Sequence, residues 1–176
     1  AELILKHADN LRGAYMHAAA AVTARTSGKT IDALRSAGIE ALVGDSAGIG
    51  ASRRLAVATV ADKGANSIHY CDLDRWLHWR ESWPQELSGL VARLEKSRPA
   101  PMYACLGRTT RAFGTHPKVQ VACEDATNRG VSAAFRRRSD VTAGSAWLSA
   151  DGARLVLSRS VESSQDRKST RLNSSH

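Results

Sequence analysis

Apolar positions along this chain alternate between short continuous runs and stretches with helical spacing. Residues 1–13 are mixed and polar, and suit a short helix or a frayed end. Tyr15 to Thr23 is nearly continuous apolar. Its four alanines favour helix on propensity, but its length and the Arg25-Thr26-Ser27-Gly28 turn after it predict a buried strand. Ile31, Leu34 and Ala37 then have helical spacing, with a cap near Ser27 or Thr30 and Gly38 placed to end the helix. Ile39 to Val43 predicts a second strand. A helix carrying Arg53 and Arg54 in its first turns follows, running to about Ala61. The order strand, helix, strand, helix, strand predicts parallel pairing with right-handed crossovers.

The third strand is the apolar run that ends in Asp72-Leu73-Asp74, and a helix with Trp76, Leu77 and Trp79 follows it at once. Aspartates at i and i+2 on extended backbone point to the same side, about 6.5 Å apart along the chain. That spacing suits two carboxylates sharing a divalent cation, or one on the cation and one on a ligand hydroxyl. At the carboxyl end of a strand they would face the ligand crevice of an α/β sheet. The alternative is that Asp74 caps the helix and Asp72 is a turn residue.

Further along, Leu87, Leu90, Val91 and Leu94 form the apolar stripe of a helix from Pro84 to about Ser97. Met102 to Gly107 predicts a fourth strand, and Arg108 to Pro117 a polar loop of the kind that carries function. A helix from Lys118 to about Arg136 puts Gln120, Glu124 and Asn128 on one face. That face is either solvated or the lining of a sugar or acceptor site. Ser139 to Ser149 predicts a short strand and turn, and a last helix starts near Ala150.

Composition narrows the class. The chain has 176 residues, enough for one domain with a core, and 43% of them are hydrophobic. No apolar run approaches the roughly 20 residues of a membrane span, and the first residues lack a signal-peptide layout. Cys71, Cys105 and Cys123 are odd in number and widely spaced, which argues against a disulfide framework or a zinc site and makes a reducing cytoplasm the expected location. The net charge of +8 invites a nucleic-acid reading, but the arginines are scattered apart from Arg136-Arg137-Arg138. Arg167, Lys168 and Arg171 also lie in a tail, 167–176, that has no apolar period. That tail resembles a translated sequencing adapter, so residues 1–166 are expected to form the domain.

Two phosphate motifs fail on inspection. Ser27-Gly28-Lys29-Thr30 resembles the end of a P-loop, but Thr23 stands where its first glycine belongs. Gly48-Ile49-Gly50 lacks the third glycine of a dinucleotide fingerprint. Its glycines still allow close backbone approach to a ligand, and Arg53 beside a helix start can hold an anion.

Five segments, taken in order, carry a family resemblance. They are Ala21 to Arg25, Gly44 to Gly50, His69 to Arg75, Gly107-Arg108-Thr109 with Arg111-Ala112-Phe113, and Asp140 to Ser145. With them, residues 14–160 resemble the nucleotide-sugar-binding half of GT-A glycosyltransferases, and more specifically a glycosyltransferase-like bacterial family. The resemblance implies an α/β fold with a mostly parallel sheet and flanking helices, incomplete at its C-terminus. It implies transfer of a sugar from a nucleotide-diphosphosugar donor to an unknown acceptor. Thr23 and Arg25 would border the base and ribose, Asp45 would contact the base, and Arg53 would sit near the nucleotide or its phosphates. Asp72 would face the ribose or the metal, and Asp74 would bind the metal, Mn²⁺ or Mg²⁺. A divalent ion would stabilise the charge gathering on the diphosphate leaving group. Glu124 and Asp140 are the candidates for the carboxylate base that an inverting transferase needs. His69-Tyr70-Cys71 departs from the aliphatic run more common before the first aspartate.

The runner-up is a module that binds a nucleotide or nucleotide-sugar without transfer. A nucleotidyltransferase would open with a Gly-rich loop after the first strand, which Ala24 to Gly28 matches poorly. A nucleic-acid binder would need the aromatic interleaving that this chain lacks, so no nucleic-acid partner is expected.

Overall fold

A computed structural model describes residues 1–44, 48–97 and 99–160. Two short N-terminal helices, α1 (Glu2–Lys6) and α2 (Ala8–Ala14), precede strand β1 (Ala19–Val22). Helix α3 (Gly28–Ser36), strand β2 (Glu40–Val43), helix α4 (Ile49–Asp62) and strand β3 (Ser67–Cys71) follow. Next come α5 (Leu73–Ser82), α6 (Pro84–Lys96), β4 (Tyr103–Cys105), α7 (Thr110–Phe113) and α8 (Lys118–Ala134). Strand β5 (Ser145–Ser149) and helix α9 (Ala150–Arg159) complete the described chain.

Local signals place most of these elements. Ser27 caps α3 by accepting the Thr30 N–H at 3.3 Å. At the other end Gly38 adopts φ 76°. The Gly38 N–H then bonds the Arg35 carbonyl and the Ile39 N–H bonds the Leu34 carbonyl, both at 2.9 Å. These two bonds are the Schellman pattern that a C′ glycine permits. The apolar run from Tyr15 divides: Met16 is exposed, and only Ala19–Val22 pair as strand. The polar N-terminus is helical because Ile4, Ala8 and Leu11 bury one face, and Lys6 and His7 both reach Glu81 on α5.

Pairing departs from the expected run of parallel strands. β1 and β2 are parallel, Ala19 to Val22 opposite Glu40 to Val43. β3 instead pairs antiparallel with β5, which also pairs antiparallel with β4, in the order β3-β5-β4. The reason lies in the return path after α8. Ser132 bonds the Ser139 N–H and carbonyl, Asn128 bonds Asp140 and Thr142, and Glu124 bonds Thr142. Residues 135–144 therefore run back along α8, and β5 enters from the end at which β4 leaves.

The core has two parts. Ile4, Leu11, Val22, Leu34, Ile39, Trp76 and Leu87 pack under the β1–β2 pair. Val57, Ile68, Leu148 and Ala153 join α4 and α9 to the three-stranded sheet. α9 approaches β4 so closely at Gly152 that a Cβ there would overlap the Met102 carbonyl. Gly152→Ala is expected to cost about 2–3 kcal/mol by overpacking against backbone, read as a lower urea midpoint with unchanged slope. Among the described residues no helix is long and apolar enough to cross a membrane.

Candidate functional site

β1 and β3 lie in different sheets, and both line a cavity of about 790 Å³. Thr23 follows β1, Gly48 and Arg53 open α4, and Asp72 follows β3; all four line it. Gly48 occupies the α4 N-cap and supplies no side chain to that helix end. Among the described residues no side chain caps the first turn, where N–H groups and the positive end of the helix dipole favour an anion.

Asp72 sits at the N-cap of α5 but does not cap it. Its Oδ2 accepts from Arg53 Nη2 at 2.9 Å, and its Oδ1 accepts a short hydrogen bond from the Tyr70 hydroxyl. Burial first, and then the bond to Asp72, hold the Tyr70 pKa far above its usual value. The Arg53 guanidinium also lies 5.4 Å from the centre of the Tyr70 ring, within cation–π range. The Asp72 N–H donates to the Gly144 carbonyl at 2.8 Å. Gly144 has φ 63°, and a Cβ on it would overlap Asp72 Oδ2. Only glycine allows this approach. Arg53 keeps further donors, and its Nε is buried without a hydrogen-bond partner among the described residues.

The second aspartate goes elsewhere. α5 begins at Leu73, so Asp74 stands in its first helical turn. Two helical steps turn a side chain by roughly 200°, so the expected same-side pair on extended backbone is not formed. Asp74 is exposed, accepts the Arg75 N–H at 2.8 Å, and lines a different cavity of about 340 Å³. The residues present do not fit a divalent cation shared by the pair. Both Asp72 oxygens already accept hydrogen bonds, from Arg53 and Tyr70. Among the described residues no three His, Cys, Asp or Glu side chains cluster in a way that could hold a metal.

The remaining expected residues separate further. Arg25 is exposed, and its N–H bonds Thr23 Oγ1 at 3.3 Å. Asp45 lies outside the described residues. Glu124 and Asp140 converge on Arg108. Arg108 holds Asp140 in a fork, Nε to Oδ2 and Nη2 to Oδ1, each 2.8 Å. Its Nη1 lies 2.7 Å from Glu124 Oε2, a close ion pair not aligned as a hydrogen bond. Arg75 reaches the other Glu124 oxygen at 3.2 Å, and Asn128 donates to Asp140 at 2.7 Å. Burial alone would raise the Asp140 pKa, but the Arg108 bonds outweigh it and hold Asp140 at about 2. For Glu124, too, burial is outweighed, by Gln120, Arg108 and Arg75, and its pKa is lowered. A carboxylate held this way is a weak base. The face of α8 expected to be solvated or to line an acceptor site is spent on this network, which ties the helix to the segment entering β5.

A buried polar chain also crosses between the two cavities. Trp76 Nε1 lies 3.1 Å from the Tyr15 hydroxyl, which lies 2.7 Å from His69 Nδ1. His69 Nε2 lies 3.1 Å from Ser145 Oγ. An indole N–H can only donate, so the Tyr15 hydroxyl accepts from Trp76; with its own proton given to His69 Nδ1, the His69 proton would sit on Nε2, facing Ser145. Burial pushes the His69 pKa down to about 4 and the Tyr15 pKa up to about 12, in keeping with a neutral imidazole and phenol. With that tautomer His69 donates to Ser145 and does not act as its base. The His69-Tyr70-Cys71 run, in place of an aliphatic one before Asp72, was the sequence signal for this chain and for Tyr70. Nothing local marked Gly144 or Tyr15 as partners of that run.

No protein-family model matches the sequence, and no curated protein or solved structure matches it.

Proposed function

We propose that this chain is a glycosyltransferase-like protein of GT-A kind that holds a nucleotide-diphosphosugar in the 790 Å³ cavity between β1 and β3. The observation that carries this reading is the convergence of Thr23, Arg53 and Asp72 on one cavity from three separate junctions. Its volume falls within the roughly 300–1,000 Å³ of small-molecule sites. The diphosphate would meet Arg53 and the opening turn of α4, where a cation and backbone N–H groups replace the shared divalent ion. Asp72, whose two oxygens accept from Arg53 and Tyr70, would orient Arg53 toward the diphosphate.

The charge-locked state of Glu124 and Asp140 favours a second reading, in which the same site binds the donor without transferring its sugar. Calorimetric titration with a panel of nucleoside diphosphates and their sugars, with Mn²⁺ and with a chelator, tests the site. Binding is expected in both conditions, and Arg53→Ala should weaken it about 10–100-fold, the loss of charged hydrogen bonds worth roughly 1.5–3 kcal/mol. Binding that requires Mn²⁺ and ignores Arg53 would reverse the assignment of charge. Sugar release or transfer by the wild-type chain separates the transferase from the binding module.

A further inference from the structure

The 340 Å³ cavity lies on the other side of the β3–α5 junction and is walled by α5, the start of α6 and the loop around α7. Arg75 and Arg108 in its wall are spent on Glu124 and Asp140, and Arg111 beside it pairs with Glu86 at 2.7 Å. What remains unspent is a mixed set. Among the described residues the Asp74 carboxylate has no cationic partner and accepts only the adjacent Arg75 N–H. The indole N–H groups of Trp79 and Trp83 have no hydrogen-bond acceptor among the described residues. His78 closes the set, edge-on to the Trp83 ring at 5.6 Å and 3.3 Å from Thr115 Oγ1, and the Arg111 guanidinium lies over that ring at 4.8 Å.

A ligand for this cavity must supply a donor to Asp74 and acceptors to two indoles while lying against apolar rings. A hydroxyl both donates and accepts, and an indole offers an apolar face beside a polar N–H. An anion would find its guanidinium partners already engaged, and a cation would lie close to three arginines. From this geometry we infer that the cavity is a carbohydrate site that takes one or two uncharged sugar rings, bound through Asp74, His78, Trp79 and Trp83. It is separate from the donor cavity, which shares only Cys71 with it.

The four tryptophans give the test its readout, because Trp76 and Trp147 line the larger cavity and Trp79 and Trp83 the smaller. Indole N–H resonances would be followed by NMR during titration with methyl glycosides and disaccharides of glucose, galactose, mannose and N-acetylglucosamine. Methylammonium and inorganic phosphate serve as charged controls. Saturable shifts at Trp79 and Trp83, with Trp76 and Trp147 still, are expected with at least one sugar at millimolar concentration. Asp74→Asn and His78→Ala, both at exposed positions, should each weaken that sugar about tenfold, whereas Arg53→Ala should leave it unchanged. No shift with any sugar, shifts confined to Trp76 and Trp147, or a response to a charged control alone would overturn the assignment. Loss of nucleotide binding in the donor titration would leave this result standing, so the two sites fail separately.

Discussion

Arg108→Ala is expected to lower the stability of the folded chain by about 3–5 kcal/mol, the cost of leaving buried charges without their partner. The arginine side chain is only 10% exposed, and those of Glu124 and Asp140 are 17% exposed, so solvent screens little of the loss. Two carboxylates would then face each other across an emptied site, and Phe113 would lose the guanidinium 4.6 Å from its ring centre. For a chain of this length that corresponds to a fall in Tm of roughly 10 °C. Urea unfolding at neutral pH measures it. Arg108→Lys should recover part of the loss, because an ammonium keeps the charge but cannot form the planar fork. A change below about 1 kcal/mol for the alanine variant, the level of a surface ion pair, would mean that the network is solvated and does not hold α8 to the segment entering β5.

Acid is expected to destabilise the fold in two stages, the first through His69. Its folded pKa of about 4 lies below its ordinary 6.5 because burial disfavours the charged imidazolium. As pH falls below 6.5 the unfolded chain takes up a proton that the folded chain refuses, so stability drops. The full effect is present above pH 6.5 and is lost as pH approaches about 4. Linkage gives about 2 kcal/mol lost between pH 7 and 5, and about 3 kcal/mol in all. Asp140 acts lower. Its contribution stands above its ordinary 3.8 and disappears as pH falls toward about 2. His69→Gln separates the stages: from pH 7 to 5 the denaturant midpoints of this variant should fall much less than those of the wild type, the remainder coming from His116, whose pKa burial and then Arg75 also lower. Parallel curves would show that His69 is hydrated in the folded state, and the directed chain from Trp76 to Ser145 would be wrong with it.

Local chemistry was legible in the sequence, and pairing between distant segments was not. Ser27 and Gly38 announced the ends of α3 because capping depends on neighbours within a few residues. Gln120, Glu124 and Asn128 share a helix face as their spacing requires. What that face meets depends on Arg108 and on Asp140, residues that no period connects to α8. The antiparallel place of β5 between β3 and β4 has the same origin, since it follows from residues 135–144 doubling back along α8. The Asp72-Leu73-Asp74 motif shows how much rests on a single boundary. Extended backbone through residue 74 would put both carboxylates on one side. Helix from Leu73 sends them to two cavities, so the position of one helix start decides whether a metal pair exists.

Where a nucleotide sits can be read from four side chains. Nucleoside diphosphates and their sugars would be titrated while the indole N–H resonances of the wild-type chain are followed by NMR. Trp76 and Trp147 line the cavity between β1 and β3. The account predicts that a bound nucleotide shifts these two, with or without Mn²⁺, and leaves Trp79 and Trp83 in place. Shifts at Trp79 and Trp83 instead, or no shift with any nucleotide, would contradict it.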